Sequence, residues 1–204
     1  MELKGIIEAS LFAANEPLSI AEIQGLFLLE NRPDKHALRE AIKQLQENYS
    51  NQSIELVETA SGYRFQVKSE YSPWVARLWE EKPVKYSRAL LETLAIIAYQ
   101  QPTTRGEVEE IRGVAVSTNI IRTLQERSWV RVIGHKEVPG RPALYATTKE
   151  FLDYFNLQTL SDLPPLASLL DIDLLPNSEV QLNLGEGTPT NRDTIQNEKK
   201  YSSS

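Results

Sequence analysis

The chain has 204 residues, of which 41% are hydrophobic and 25% charged, proportions that are ordinary for a soluble globular protein. No apolar run approaches the roughly 18 residues that a membrane span requires. The apolar N-terminus carries Glu2 and Glu8 and keeps a helical period, so we interpret it as a helix of the fold and not as a signal peptide. The absence of cysteine excludes disulfides and thiolate metal sites.

The net charge of −6 is unevenly distributed along the chain. Residues 1–86 carry a formal charge of −3, residues 87–156 carry +1, and residues 157–204 carry −4. A domain that neutralises several phosphates usually shows a clear basic excess. Neither half of the chain has that excess in its composition.

The first 67 residues predict three helices followed by a β-hairpin. Apolar residues recur at helical spacing in three groups: Leu3, Ile6, Ile7, Leu11 and Phe12; Ile20, Ile23, Leu26 and Phe27; and Leu38, Ile42 and Leu45. Ser19 and Glu22 have the spacing of a capping box, which places the start of the second helix at Ser19. Alternating residues in 54–58 and 63–67 predict the two strands of the hairpin. This order of elements is typical of a winged helix.

The same order starts again at Ser87, which we expect to cap the next helix. Three pairs of corresponding residues are each separated by 85 positions, namely Pro17 and Pro102, Glu22 and Glu107, and Ile23 and Val108. Thr103 or Thr104 is expected to cap the second helix of this copy, and Thr148 a closing helix through Phe155. The separation falls to 79 by Leu45 and Leu124, which predicts a shorter connection before the third helix. The predicted fold is therefore mainly α with small β-hairpin wings, an α+β tandem of winged-helix domains.

Four ranges follow from this pattern. We expect an N-terminal winged helix over residues 1–82, with a short closing helix near its end, and a C-terminal winged helix over 83–156. Residues 157–176 are apolar but interrupted by prolines, which indicates a segment that packs on the second domain or on a partner. Residues 177–204 are polar and are predicted to be disordered.

Four stretches of the second half resemble the family of segregation and condensation protein B, the bacterial accessory subunit of the complex of the SMC ATPase and its kleisin. They are LETLAIIAYQQP (Leu91–Pro102), TRGEVEEIRGV (Thr104–Val114), VPGRPALYATTKEFLDYF (Val138–Phe155) and LSDLPPL (Leu160–Leu166). At the level of architecture the resemblance covers residues 1–166. It is specific over the second domain, weaker over the first, and absent from the tail.

The resemblance implies a non-enzymatic homodimer without cofactor or metal. In that family the first winged helix mainly forms the dimer, and the second mainly receives the central segment of the kleisin, segregation and condensation protein A. The SMC ATPase would be reached through the kleisin, and the complex would act in chromosome condensation and segregation. The implied location is the cytoplasm, with association to the nucleoid through the complex and with no membrane contact.

Candidate contact residues follow from surface chemistry. For the kleisin we select aromatic, charged and apolar positions of the second domain, namely Tyr99, Arg105, Glu109, Arg112, Arg141, Leu163 and Leu166. For the dimer we select Phe27, Leu28 and Leu29, because the apolar character of that helix extends beyond one stripe. Packing in or near the core is the favoured interpretation of Tyr99, and contact with the kleisin is the alternative.

Two local features allow more than one interpretation. Gly140-Arg141-Pro142 at the second wing tip is either a solvated turn or a rigid platform that directs Arg141 at a partner. Glu109 and Arg112 are three residues apart on a helix predicted to be exposed, where an ion pair is expected and an acid–base site is not. The two histidines lie in different domains, and no phosphate-binding glycine loop or nucleophile motif is present.

The alternative function is a winged-helix transcription regulator that binds DNA. The third helix of the second copy and its wing offer polar and basic side chains to a duplex, namely Ser117, Thr118, Asn119, Arg122, Gln125, Arg127, Arg131, Lys136 and Arg141. Glu126 and Glu137 lie among them and oppose phosphate binding. The resemblance therefore favours the scaffold over the regulator, with direct DNA binding weak.

Overall fold

Helices and short antiparallel strands follow each other in the predicted order in the computed structural model, which describes residues 2–78 and 86–165. The first unit comprises α1 (Leu3–Ala13), α2 (Ile20–Gly25), α3 (Lys35–Tyr49), β1 (Ile54–Glu58), β2 (Tyr63–Val67) and the single turn α4 (Ser72–Val75). The second comprises α5 (Arg88–Gln100), β3 (Thr103–Thr104), α6 (Arg105–Arg112), α7 (Thr118–Glu126), β4 (Val130–His135), β5 (Ala143–Thr147) and α8 (Lys149–Tyr154). The predicted α+β tandem of winged helices is confirmed.

Each unit has its own hydrophobic core. The first core joins α1, α2 and α3 to the hairpin through Ile7, Ile23, Leu38, Ile42, Leu45 and Leu56, among others. The second core joins α5, α6, α7 and α8 to the sheet through Leu94, Ile97, Val108, Leu124, Trp129 and Phe151, among others. Two separate cores explain why the pattern repeats along the sequence, since each copy must bury its own helical faces.

Side-chain caps fix where the helices begin. Ser19 and Thr104 each form a capping box with the glutamate three residues later, so that both predicted boxes are confirmed. Ser87 and Thr148 accept a hydrogen bond from the backbone N–H three residues on, as expected for N-caps. These local bonds start the helices at equivalent places in the two copies.

The structure departs from the sequence prediction at two points. Helix α2 ends at Gly25, whereas the apolar spacing predicted that Leu26 and Phe27 continue its buried face. The N–H of Leu26 donates to the carbonyls of Ile23 and Gln24 in a tight turn, and the Leu26 side chain is exposed. The second sheet has three strands in the order β3-β5-β4, and the two-residue β3 was not predicted. By contrast, the connection before the third helix is shorter in the second copy, residues 113–117 against 26–34, as predicted.

Candidate partner-binding surfaces

Helix α6 carries the first predicted contact residues, and Thr104 and Glu107 set its start. The Nε of Arg105 donates to Glu109 Oε1 at 2.9 Å, and its Nη1 donates to the Thr118 hydroxyl at 3.3 Å. The same Glu109 oxygen accepts the N–H of Val116 at 2.9 Å, just before α7. A hydrogen bond from the Val116 backbone, followed by that from Arg105, lowers the pKa of Glu109. These two side chains therefore tie α6 to the start of α7 while they remain partly exposed.

Arg112 occupies a different environment from the one predicted. Its side chain is only 8% exposed, and its Nη2 donates to Glu92 Oε2 on α5 at 3.1 Å. The predicted Glu109–Arg112 pair is wrong, because Arg105 lies one full turn before Glu109 and takes that carboxylate. Arg112 points back toward α5 and contributes to packing, so its side chain is largely inaccessible to a partner in this structure.

Glu92 is the carboxylate that joins the two arginines of α5 and α6. Burial would raise the pKa of Glu92, but hydrogen bonds from Arg88 and Arg112 outweigh it and hold the pKa below its ordinary value. The Nε of Arg112 is buried without a hydrogen-bond partner in the described part of the chain. The arrangement joins α5 to α6 through a carboxylate that remains partly exposed.

Tyr99 and Leu163 are brought together by the segment that follows α8. We name residues 157–165 the returning segment, because it folds back on the second domain. The Tyr99 hydroxyl donates to the carbonyl of Pro164, and burial raises the pKa of that phenol. Leu157 and Leu163 pack against the second core. Leu166 lies outside the described residues.

Arg141 lies at the tip of the second wing, apart from α6 and the returning segment. Gly140 has a φ of +85° and Arg141 a φ of +39°, and the Arg141 N–H donates to the Val138 carbonyl at 2.9 Å. The guanidinium is exposed and contacts Glu137 Oε1 at 3.4 Å. The turn geometry is thus built by the backbone, which leaves the arginine head available to a partner.

Two apolar side chains near α6 were not selected from the sequence. Ile111 is 55% exposed and Val114 is 56% exposed. Ile111 also lines a small open cavity of 270 Å³ together with Gln100, Pro102, Thr103, Glu107 and Glu110. Spacing alone could not identify Ile111, because three residues of separation from the buried Val108 place both on one side of a helix.

The candidate dimer residues follow α2 on the first domain. Leu28 is 77% exposed and Leu29 is 82% exposed, whereas Phe27 is partly buried against the first core. Leu26 adds a further exposed apolar side chain beside them. Neighbouring exposed leucines are unfavourable in water and indicate a surface that another apolar surface covers.

The helix that would enter a DNA groove is α7, and several cations around it are paired with carboxylates. Arg122 bonds to Glu126 at 3.1 Å, and Lys136 in the wing bonds to Glu107 at 2.5 Å. The guanidinium of Arg127 lies over the Tyr86 ring at 4.8 Å from its centroid. These partners compete with phosphates for the same charges.

The described residues contain no group of three or more histidine, cysteine or carboxylate side chains that could hold a metal ion. Over the same two ranges, 2–78 and 86–165, none of the helices combines the length and apolar character needed to cross a membrane.

Comparison with known proteins identifies relatives for most of the chain. Residues 5–166 match the family described as segregation and condensation complex subunit ScpB. The segregation and condensation protein B homolog of Coxiella burnetii is 52% identical over 83% of this chain and 81% of its own length. The protein of that name from Syntrophotalea carbinolica is 41% identical over 84% of this chain and 86% of its own. A solved dimer of an ScpB N-terminal domain with an ScpA peptide shares 29% identity over 39% of this chain and 93% of that chain, with a TM-score of 0.34.

Proposed function

The chain belongs to the segregation and condensation complex subunit ScpB family, and on that premise we propose that it acts as a non-enzymatic accessory subunit of a bacterial SMC–kleisin complex. The observation that carries this proposal is the match over residues 5–166, which spans both winged helices and the returning segment. The subunit would support chromosome condensation and segregation in the cytoplasm, associated with the nucleoid through the complex. It would reach the SMC ATPase through the kleisin.

The first domain is proposed to form a homodimer through the surface that contains Leu28 and Leu29. Both side chains are more than three-quarters exposed in the single chain, and Leu26 extends the same apolar surface. Covering such a surface removes apolar area from water and stabilises association by about 25 cal/mol per Å² before ordering costs. Phe27 would support the surface from below, since it packs on the first core.

The second domain is proposed to receive the central segment of the kleisin on the outer side of α6. Ile111 and Val114 provide apolar contacts, and Arg105 and Glu109 provide polar contacts at the edge. An amphipathic helix is the partner that suits such an arrangement, because its apolar face covers the aliphatic side chains while its flanks meet the charges. Tyr99, Leu163 and Arg141 remain candidate kleisin contacts outside this surface, and Arg112 stabilises α6 from inside.

Light scattering and calorimetric titration with the central segment of the kleisin from the same organism test both parts of the proposal. The unaltered protein is expected to be a dimer that forms a larger, stable complex with the segment. A Leu28→Glu/Leu29→Glu variant is expected to be monomeric and to keep its affinity for the segment. An Ile111→Glu/Val114→Glu variant is expected to remain dimeric and to lose about tenfold or more in affinity, about 1.4 kcal/mol.

The two variants serve as controls for each other, because each introduces two charges at exposed apolar sites of similar accessibility. Loss of kleisin binding in the Leu28/Leu29 variant alone would move the kleisin contact to the first domain. A monomeric unaltered protein that ignores the kleisin segment and binds a DNA duplex with steep salt dependence would replace the scaffold with the transcription regulator.

Two of the three carboxylates of α6 have structural partners that fit a non-enzymatic role. Glu107 caps the helix and pairs with Lys136, and Glu109 links Arg105 to the Val116 backbone. A general base needs a carboxylate placed to accept a proton from a substrate. Here these oxygens accept hydrogen bonds that hold α6 in place.

A further inference from the structure

The turn of the first hairpin contacts the end of α8 in the second domain. Between β1 and β2, the Ser61 N–H donates to Asp153 Oδ1 at 2.9 Å, and the Ser61 hydroxyl donates to Asp153 Oδ2 at 2.5 Å. The N–H of Ala60 donates to the carbonyl of Leu157 at 2.9 Å. Both oxygens of one carboxylate are therefore engaged by a single serine that lies 92 residues earlier in the chain.

Arg64 on β2 adds a second group of contacts beside the turn. Its Nη2 donates to the Asp153 carbonyl at 3.0 Å and to the Asn156 side-chain oxygen at 2.7 Å. Burial lowers the pKa of Arg64, and the charge of Asp153 acts in the opposite direction. A guanidinium partly removed from water is unfavourable unless its donors find acceptors. Nη2 finds two acceptors on the second domain, whereas the buried Nε has none among the described residues, so the contribution of Arg64 to the contact comes from Nη2 alone.

The first-domain side of this contact is held rigidly. The N–H groups of Thr59 and Gly62 exchange hydrogen bonds with each other's carbonyls at 2.7 and 3.2 Å. Gly62 has a φ of +145°, and a Cβ there would lie 2.3 Å from the backbone of Leu18. Leu18 in turn bridges to Tyr63 through two backbone bonds of 2.9 Å. The turn therefore presents Ala60 and Ser61 from a fixed position.

The second-domain side is also anchored. Phe151 of α8 is buried in the second core, and Leu157 packs against the same core. Asn156 has a φ of +56°, and its N–H returns to the Asp153 carbonyl at 3.3 Å. The acceptors for Ala60, Ser61 and Arg64 thus belong to a helix end that cannot move without disturbing the core.

We propose that these six residues, Ala60, Ser61 and Arg64 with Asp153, Asn156 and Leu157, form a latch that holds the two winged helices in one fixed relative orientation. The five hydrogen bonds across the contact link one anchored turn to one anchored helix end, so that a rotation of either domain breaks several of them together. The latch is a property of the single chain and holds whether or not the chain binds a kleisin.

With the latch closed, the dimer surface after α2 and the surface formed by α6 lie at a constant separation within one protomer.

Spin labels on the full chain test this proposal, and the absence of cysteine allows two labels to be placed without other changes. Lys43→Cys on α3 and Asn119→Cys on α7 place one label on an exposed site of each domain. The doubly labelled protein is mixed with an excess of unlabelled protein, so that distances within one protomer dominate even in a dimer. Pulsed electron–electron double resonance is expected to give a single narrow peak in the distribution of distances between the two labels.

Asp153→Ala and Ser61→Ala, each introduced into the labelled chain, are expected to broaden the single narrow peak, Ser61→Ala to a smaller extent because it keeps the backbone N–H that bonds to Asp153. Glu137→Ala, which removes an exposed carboxylate of the second wing, is the matched control and is expected to keep the narrow peak. Intrinsic fluorescence, in a background where Trp74 and Trp79 are replaced by Phe so that the buried Trp129 is the remaining tryptophan, reports whether the second domain stays folded. If Asp153→Ala changes this fluorescence, the test of the latch rests on Ser61→Ala, because Ser61 lies in a turn of the other domain. A broad distribution in the unaltered chain, or a peak that both variants preserve, would overturn the latch.

Discussion

Glu107 combines the capping of α6 with an ion pair to the wing. Its carboxylate accepts hydrogen bonds from Lys136 and from the N–H and hydroxyl of Thr104, and these bonds lower its pKa to about 2 from 4.5. Because the pKa is lower in the folded state, the stabilisation is fully present above about pH 4.5 and is lost as the pH falls toward 2. Acidification should therefore weaken the second domain through this residue.

We expect Glu107→Ala to lower the free energy of unfolding of the second domain by about 1 kcal/mol at neutral pH, the usual cost of losing a cap. The difference from the unaltered protein should shrink between pH 4.5 and 2, as measured by urea unfolding with Trp129 fluorescence. Glu107→Gln retains an acceptor for the Thr104 N–H and should lose less. An equal pH dependence in the Glu107→Ala variant and the unaltered protein would contradict this role.

Arg112 offers a test that separates packing from partner binding. We expect Arg112→Ala to destabilise the second domain by about 2 kcal/mol, because Glu92 loses one of its hydrogen-bond donors and the volume of the arginine side chain is left unfilled. Arg112→Met fills most of the same volume without buried donors and should restore much of the stability. Under conditions where they are folded, both variants should bind the kleisin segment with the affinity of the unaltered protein. A weaker affinity in the folded Arg112→Met variant would restore Arg112 to the contact surface.

At the scale of elements, the returning segment depends on a few contacts with α5 and the second core. We expect Leu163→Ala to weaken the free energy of docking by about 1 kcal/mol, below the cost at fully buried sites because Leu163 is only partly buried. Tyr99→Phe removes one hydrogen bond, to Pro164, which is worth about 1 kcal/mol. Amide hydrogen exchange over residues 157–163 should accelerate in both variants.

The exchange measurement also distinguishes two roles of Tyr99. If Tyr99 only docks the returning segment, Tyr99→Phe and Leu163→Ala should affect kleisin affinity to the same small extent. A loss of affinity confined to Tyr99→Phe would identify direct contact with the kleisin. Unchanged exchange in both variants would show that the segment is held by other contacts.

The elements predicted well are those whose signals are local. A capping residue and its glutamate are three positions apart, so Ser19 with Glu22 and Thr104 with Glu107 are visible in any short window. The first hairpin was found because strand alternation repeats over five residues, and the second because the same order of elements recurs. The amphipathic helices α3 and α7 were found because their apolar residues recur at helical spacing.

The features missed depend on partners that are distant in sequence. Strand β3 has two residues, too few for a period, and exists because Thr103 and Thr104 pair with Tyr145 and Leu144. The burial of Arg112 depends on Glu92, 20 residues earlier, and α6 gives no sign of it. Of the kleisin candidates that lie within residues 2–78 and 86–165, the structure brings only Arg105 with Glu109 and Tyr99 with the returning segment into local groups, because surface clustering is decided by tertiary packing.

At the scale of the whole molecule, charge opposes binding to nucleic acid. The chain carries −6, and two of the cations offered to a duplex, Arg122 on α7 and Lys136 in the wing, already have carboxylate partners in Glu126 and Glu107. A phosphate would have to displace those partners before it could bind. The apolar surfaces proposed for dimer and kleisin have no such competition, since burying aliphatic area is largely insensitive to salt.

These two kinds of interaction predict different responses to ionic strength. We expect the dimer to persist between about 50 and 500 mM salt, because screening over the Debye length acts on charges and not on buried leucines. The kleisin complex should weaken by about tenfold or less over that range, since Arg105 and Glu109 contribute only exposed pairs at its edge. Any DNA complex should lose about a thousandfold or more if six or more phosphates are neutralised. Light scattering and titration at each salt concentration measure all three, and a kleisin affinity that falls as steeply as that for DNA would show that charge, rather than apolar burial, holds the kleisin.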